Sequence, residues 1–218
     1  MGTIVAVNVG GVTQVPYRGT SVATGIFKAP VEGRVAVGPT GLEGDVQADP
    51  SVHGGPDKAV YLYSADDYAW WAGELGHPVA HGEFGENLTV TGLGGDAVRV
   101  GDRIRAGGVL LEVTTPREPC FKLGIRMGEP RFVVRFREEG RTGFYARVLE
   151  TGTVGAGDAV EVVAHAPDTA PTIEEFHRAF TTGRDDAALM RRMAATPGLP
   201  EDWREWFERR AEEAEAPV

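Results

Sequence analysis

Glycine and proline decide what the first 160 residues of this chain can become. The chain holds 30 glycines and 14 prolines, densest before about residue 160, and that punctuation favours short strands joined by tight turns. The apolar pattern agrees. Residues 3 to 9 alternate as a strand, residues 12 to 17 can pair back on it after Gly10-Gly11, and residues 21 to 27 are a further extended segment, so a β-meander opens the chain. Residues 34 to 37, 59 to 63, 109 to 113, 132 to 136 and 144 to 149 are also predicted strands. Two segments, Val98-Arg99-Val100-Gly101-Asp102-Arg103-Ile104 and Val154-Gly155-Ala156-Gly157-Asp158-Ala159-Val160, share a strand, tight turn, strand pattern. Ser64 can cap a helix running to Leu75, with Asp66 and Asp67 in its first turn and Gly76-His77-Pro78 as its stop. The expectation is a mostly β domain, closed or nearly closed, with one or two helices packed outside.

Near residues 164 to 171 the apolar period changes from 2 to 3.6. Thr172-Ile173-Glu174-Glu175 has the form of a capping box, and Ile173, Phe176 and Phe180 line one face of the helix it opens. Asp185 can cap a second helix with Leu189, Met190 and Met193 inward, and Pro200 suits the start of a third bearing Trp203, Trp206 and Phe207. Three helices this short need each other or the barrel for stability. The division expected is a β domain over residues 1–166 and a three-helix domain over 171–214.

The net charge, 22 − 32 = −10, disfavours general binding to nucleic acid or to an anionic membrane. No window approaches the roughly 18 apolar residues of a membrane span. The start Met1-Gly2-Thr3-Ile4-Val5 lacks the basic and long apolar parts of a signal peptide, so the cytoplasm is the expected location.

The single cysteine, Cys120, makes an internal disulfide impossible. It follows an apolar run on a segment stiffened by Pro116 and Pro119, where Arg117 and Lys122 favour thiolate over thiol. A small buried thiol with no chemistry fits the same pattern. Residues 41 to 58 form a long polar loop in which Gly54 and Gly55 let backbone approach a ligand, Lys58 adds charge and His53 a hydrogen-bonding group. A plain turn before a strand is an equal reading. Thr24, Lys28, Arg117 and Lys122 place hydroxyl and cationic groups at other strand ends.

Five segments in order, Gly41-Leu42-Glu43-Gly44-Asp45, Val52-His53-Gly54-Gly55 with Asp57-Lys58, Phe84-Gly85-Glu86-Asn87-Leu88, Val100-Gly101-Asp102 and Pro116-Arg117-x-Pro119-Cys120-x-Lys122-Leu123, resemble the MOSC-domain proteins. The helical tail resembles the three-helix domain of the YiiM-like branch, and the resemblance runs from about residue 3 to about residue 212. It implies a MOSC-type β-barrel with peripheral helices, and a molybdenum cofactor, Mo-molybdopterin, whose metal takes a protein sulfur from Cys120. By the same analogy Thr24, Lys28, His53, Gly54, Gly55, Lys58, Asn87, Arg117 and Lys122 surround the cofactor phosphate or the substrate. Pyridoxal phosphate binding is a further association of the family. The implied activity is reduction of N-hydroxylated small molecules, of hydroxylaminopurine or amidoxime type. A separate reductase would supply electrons, because one cysteine cannot hold an iron–sulfur cluster. A sulfur carrier using a Cys120 persulfide and a cofactor storage protein are the alternatives, and a monomer and a homodimer are equally open.

Overall fold

The computed structural model describes residues 1–47 and 54–216. Its strands in chain order are β1 (Gly2–Val9), β2 (Thr13–Tyr17), β3 (Thr20–Thr24), β4 (Ala29–Pro30), β5 (Arg34–Gly38), β6 (Gly41–Leu42) and β7 (Val60–Ser64). There follow β8 (Leu88–Val90), β9 (Arg103–Ala106), β10 (Val109–Pro116), β11 (Phe144–Glu150), β12 (Gly152–Gly155) and β13 (Ala159–Ala164). Seven of them form a closed barrel in the order β13-β9-β10-β11-β7-β8-β1, with β1 returning to β13 through Gly2 opposite Val160 and Thr3 opposite Ala159. Closure removes the open edges that a sheet would otherwise expose.

Among the described pairings β7 with β8 is the parallel one, and a parallel pair needs a crossover. Helix α1 (Ala65–Leu75) supplies it. The Ser64 hydroxyl accepts from Asp66 N–H at 3.2 Å, and Gly76 ends the helix in the left-handed region, donating to Ala72 O at 3.0 Å.

Strand β7 is buried on both faces. Val60 and Leu62 join the barrel interior, while Tyr61 and Tyr63 point outward into an aromatic cluster with Tyr68, Trp71, Phe84, Phe132 and Phe136. Helices α1, α2 (Phe121–Arg126) and α3 (Phe132–Glu138) contribute to that outer cluster. Three peripheral helices thus replace the expected one or two. Residues 132 to 136, predicted as a strand, are helical, because positions i and i+4 share a face in either conformation. The intervening Val134 decides: a strand would turn it inward with Phe132 and Phe136, whereas it is 50% exposed.

The expected pairing of residues 12 to 17 with β1 does not form. β2 pairs with β3 from Thr13 opposite Thr24 to Tyr17 opposite Thr20. Arg18 and Gly19, at φ 50° and 80°, make the two-residue turn with positive φ that suits the twist of a hairpin. The two Gly-Asp segments share a turn in which an Asp carboxylate accepts from the backbone N–H three residues back, Arg99 to Asp102 and Gly155 to Asp158, both at 2.9 Å. Their flanks differ: Arg99 makes an isolated bridge to Thr172, while β12 pairs with β5 and β13 with β9 and β1.

The C-terminal helices are α4 (Ile173–Thr181), α5 (Ala187–Ala194) and α6 (Glu201–Glu215). The capping box is formed: Thr172 Oγ1 accepts from Glu175 N–H at 3.1 Å, and the Glu175 carboxylate accepts from Thr172 N–H at 3.0 Å. Asp186, not Asp185, caps α5, accepting from Leu189 N–H at 2.9 Å. Phe176, Phe180, Met190, Met193 and Phe207 belong to one continuous buried cluster with Val100, just before β9, and with Leu111 and Val113 of β10. The helices therefore extend the barrel core. No helix among the described residues is long and apolar enough to cross a membrane.

Candidate functional site

Thr24, Lys28, Lys58, Asn87, Arg117, Cys120 and Lys122 line a single pocket beside the barrel. Its space, with the open solvent at its mouth included, is about 590 Å³. Thr24 ends β3, Asn87 precedes β8, Arg117 follows β10, and Cys120 and Lys122 sit at the start of α2. Cys120 is partly exposed, in extended backbone at the end of the short loop that joins β10 to that helix, which is the loop leaving a strand that the sequence suggests. Gly54 and Gly55 are not among the described lining residues, and His53 lies outside the described residues.

The pocket wall is a chain of matched polar groups. Lys28 Nζ meets Asp45 Oδ2 at 2.7 Å, and Asn87 Nδ2 donates to the same oxygen at 2.8 Å. Gly10 N–H donates to Asp45 Oδ1 at 3.0 Å. Asn87 is itself fixed to β7, its Oδ1 accepting from Tyr61 N–H at 3.1 Å. Burial lowers the Lys28 pKa, and Asp45 opposes that shift by charge and hydrogen bond. Lys28, expected to face a phosphate or substrate, thus carries a counter-ion supplied by the protein.

Arg117 is only 5% exposed, and its guanidinium lies over the rings of Tyr61 and Phe136 at 5.2 and 5.7 Å. Burial works against its charge, but Tyr61, Tyr145 and Cys120 outweigh that, and its pKa rests above the ordinary value. Its buried Nη1 has no hydrogen-bond partner. Burial pushes the Tyr145 phenol upward, with Arg117 pulling the other way. At Gly85, φ 82°, a Cβ would stand 2.8 Å from Ile26 Cγ1, so only glycine lets this part of the wall close.

Behind the wall lies Glu86, fully buried. Tyr68 Oη, Gly82 N–H, Thr89 Oγ1 and Asn8 Nδ2 all donate to its Oε1, at 2.6, 2.7, 2.8 and 3.3 Å. Its Oε2 has no partner. Burial raises its pKa against the pull of those donors.

Asp45, Tyr61 and Tyr145 escaped the sequence reading as site residues. Asp45 was visible as the last residue of Gly41-Leu42-Glu43-Gly44-Asp45, a loop position whose acid needed a partner. The two tyrosines looked like ordinary strand aromatics.

The model of the MOSC domain matches residues 49–161, and that of the YiiM-like 3-alpha helix domain matches residues 172–214. The chain belongs to the MOSC-domain family. Within it, the second match places this protein in the YiiM-like branch. The crystal structure of YiiM from Geobacillus stearothermophilus superposes with a TM-score of 0.81 at 33% identity, covering 97% of this chain and 100% of that one. The Bacillus subtilis protein YflK is 35% identical over 205 residues, 94% of this chain and 92% of its own length. A Gibberella moniliformis protein named Reductase is 39% identical over 149 residues, 66% of this chain but 26% of the fungal one. The MOSC match contains Lys58, Asn87, Arg117, Cys120 and Lys122, and Thr24 and Lys28 reach the same pocket from upstream of it.

Proposed function

We propose that this MOSC protein is a molybdenum-cofactor-dependent oxidoreductase that reduces N-hydroxylated small molecules. The observation that carries the reading is the presence, in one pocket, of the Cys120 thiol and of Arg117, a buried cation whose Nη1 lacks a partner. A soft sulfur suits a thiolate-coordinated metal, and a guanidinium with no carboxylate of the protein beside it suits a phosphate. The residues present fit a dithiolene cofactor with a terminal phosphate, which Cys120 would hold at the metal and Arg117, Thr24 and Lys58 around its polar end, while Asn87, like Lys28, serves the wall through Asp45.

When bound, that group supplies a two-electron centre. The overall change is R–NH–OH plus two electrons and two protons giving R–NH2 and water. The protein's part is to hold and to supply hydrogen bonds. Tyr145 and Lys122 line both the pocket and the cleft beside it, and the Tyr145 phenol, protonated at neutral pH as any tyrosine is and pushed further that way by burial, can donate its O–H to the departing hydroxyl oxygen. Electrons come from a separate reductase protein. The fungal relative's name agrees with a reductive reaction, although most of that longer protein lies outside the match. Pyridoxal phosphate is not part of the proposal, since Lys28, a buried amine of the pocket, is engaged by Asp45.

The test is reduction of benzamidoxime or an N-hydroxylated purine by the full chain, purified from a host that makes the cofactor, with reduced viologen as electron donor. Reduction by wild type, falling at least about 100-fold in Cys120→Ser, is expected. A molybdenum-loaded but inert protein would point to storage instead.

A further inference from the structure

Beside the Cys120 pocket a second cleft, about 1,510 Å³ with its open solvent included, shares Lys58, Cys120, Lys122 and Tyr145 with it. Its remaining walls include Val22 and Ala23 of β3, Pro116 at the end of β10, and Trp203. Trp203 is the one described lining residue that comes from the C-terminal helices. It is half-buried, and its ring is braced by Phe176 at 5.1 Å and 78°, by Phe180 at 5.2 Å and 57°, and by Phe207 at 5.8 Å. Phe176, Phe180 and Phe207 are buried in the core that joins the helices to the barrel. A broad aromatic ring is therefore held in place at the margin of the cleft that reaches Cys120, and holding it costs little further side-chain entropy on binding.

We infer that Trp203 is a specificity-determining wall of the substrate cleft, contributed by the helical domain, and that it favours flat aromatic N-hydroxylated compounds over aliphatic ones. The inference rests on the proposed reductase reading for the identity of the reacting group. The selection itself rests on the rigid ring and the shared cleft. An aromatic substrate whose N–OH lies near Cys120 has its ring within the same cleft as the Trp203 face, whereas a small aliphatic substrate leaves that face unused.

Benzamidoxime and acetamidoxime carry the same reacting head and differ in the ring. In Trp203→Ala, the KM for benzamidoxime should rise about 3- to 10-fold, with the acetamidoxime KM within about twofold of wild type and kcat for both little changed. Trp203→Phe should keep most of the preference. Trp203→Leu keeps apolar volume between the helices and should show the same loss if the alanine variant does not fold. Equal changes for both substrates, or no change, would overturn the inference. Calorimetric binding of the neutral analogues benzamide and acetamide to the same proteins reads the cleft without turnover. Benzamide affinity weakened about 3- to 10-fold in Trp203→Ala, with no amidoxime reduced, would leave the cleft assignment standing and remove the reductase reading. Unchanged benzamide affinity, or none in wild type, would overturn the inference itself.

Discussion

Lys28 Nζ lies 2.7 Å from Asp45 Oδ2, and both side chains are almost wholly enclosed in the wall of the Cys120 pocket. Three donors converge on that carboxylate, from Lys28, Asn87 and the Gly10 backbone. The pair ties the segment after β3 to the loop before β7, and Asn87 ties both to β7. Its consequence is a division of labour among the pocket cations. Lys28 is matched by a carboxylate of the protein, whereas among the described residues Arg117 pairs with none and lies over the Tyr61 and Phe136 rings.

Asp45→Asn should therefore destabilise the protein by about 3 kcal/mol at neutral pH, since it strands a buried ammonium. Urea unfolding with an unchanged m-value is the measurement. The sign with pH follows from Lys28. Burial already lowers its pKa below 10.5, and without Asp45 it falls further. The unfolded chain then binds more protons than the folded one, so the deficit of Asp45→Asn shrinks as pH rises toward 10.5. A deficit that grows with pH would contradict this account of the pair.

Glu86 offers the opposite sign. Its pKa is raised by burial, so the folded state holds the proton more tightly than the unfolded state, and stability falls as pH rises from 4.5 through the folded value. Glu86→Gln keeps an acceptor for the four donors to Oε1 and removes the ionisation. Its melting temperature should vary less with pH over that interval, and it should equal or exceed wild type at pH 7. Glu86→Ala, which orphans the donors of Tyr68, Gly82 and Thr89, should lose at least about 3 kcal/mol.

Phe136 packs with Trp71, Phe84 and Phe132 and also lies 5.7 Å beneath Arg117. Phe136→Ala should cost about 3–5 kcal/mol in unfolding experiments. Phe136→Leu keeps much of the apolar volume and removes the ring face, so it should weaken anion binding in the pocket with a smaller loss of stability. Titration with inorganic phosphate distinguishes the two effects.

Features encoded by adjacent residues were legible in the sequence. Ser64 and Gly76 bound α1, and Thr172 with Glu175 opens α4, because capping is chemistry within one turn. Pairing was less legible. β2 turns on Arg18-Gly19 rather than at Gly10-Gly11, and nothing in the apolar alternation distinguishes those two turns. Helix α3 was hidden by Phe132 and Phe136, whose spacing fits both periods. At the site, Cys120 and its flanking cations announced possible chemistry, but Thr24 and Lys28 lie more than ninety residues upstream and reach the pocket from the β2–β3 hairpin and the segment that follows it. Only the family resemblance linked them beforehand. The role of Asp45 depends on Lys28 and Asn87, which lie 17 and 42 residues away in the chain.

The central claim is that Cys120 anchors a molybdenum cofactor. Metal analysis of the full chain, purified from a host competent in cofactor synthesis, tests it most directly. Wild type should carry about one molybdenum per chain and Cys120→Ser close to none, with melting temperatures alike when both are measured without the cofactor. Wild-type protein free of molybdenum from such a host, or full loading of Cys120→Ser, would contradict it.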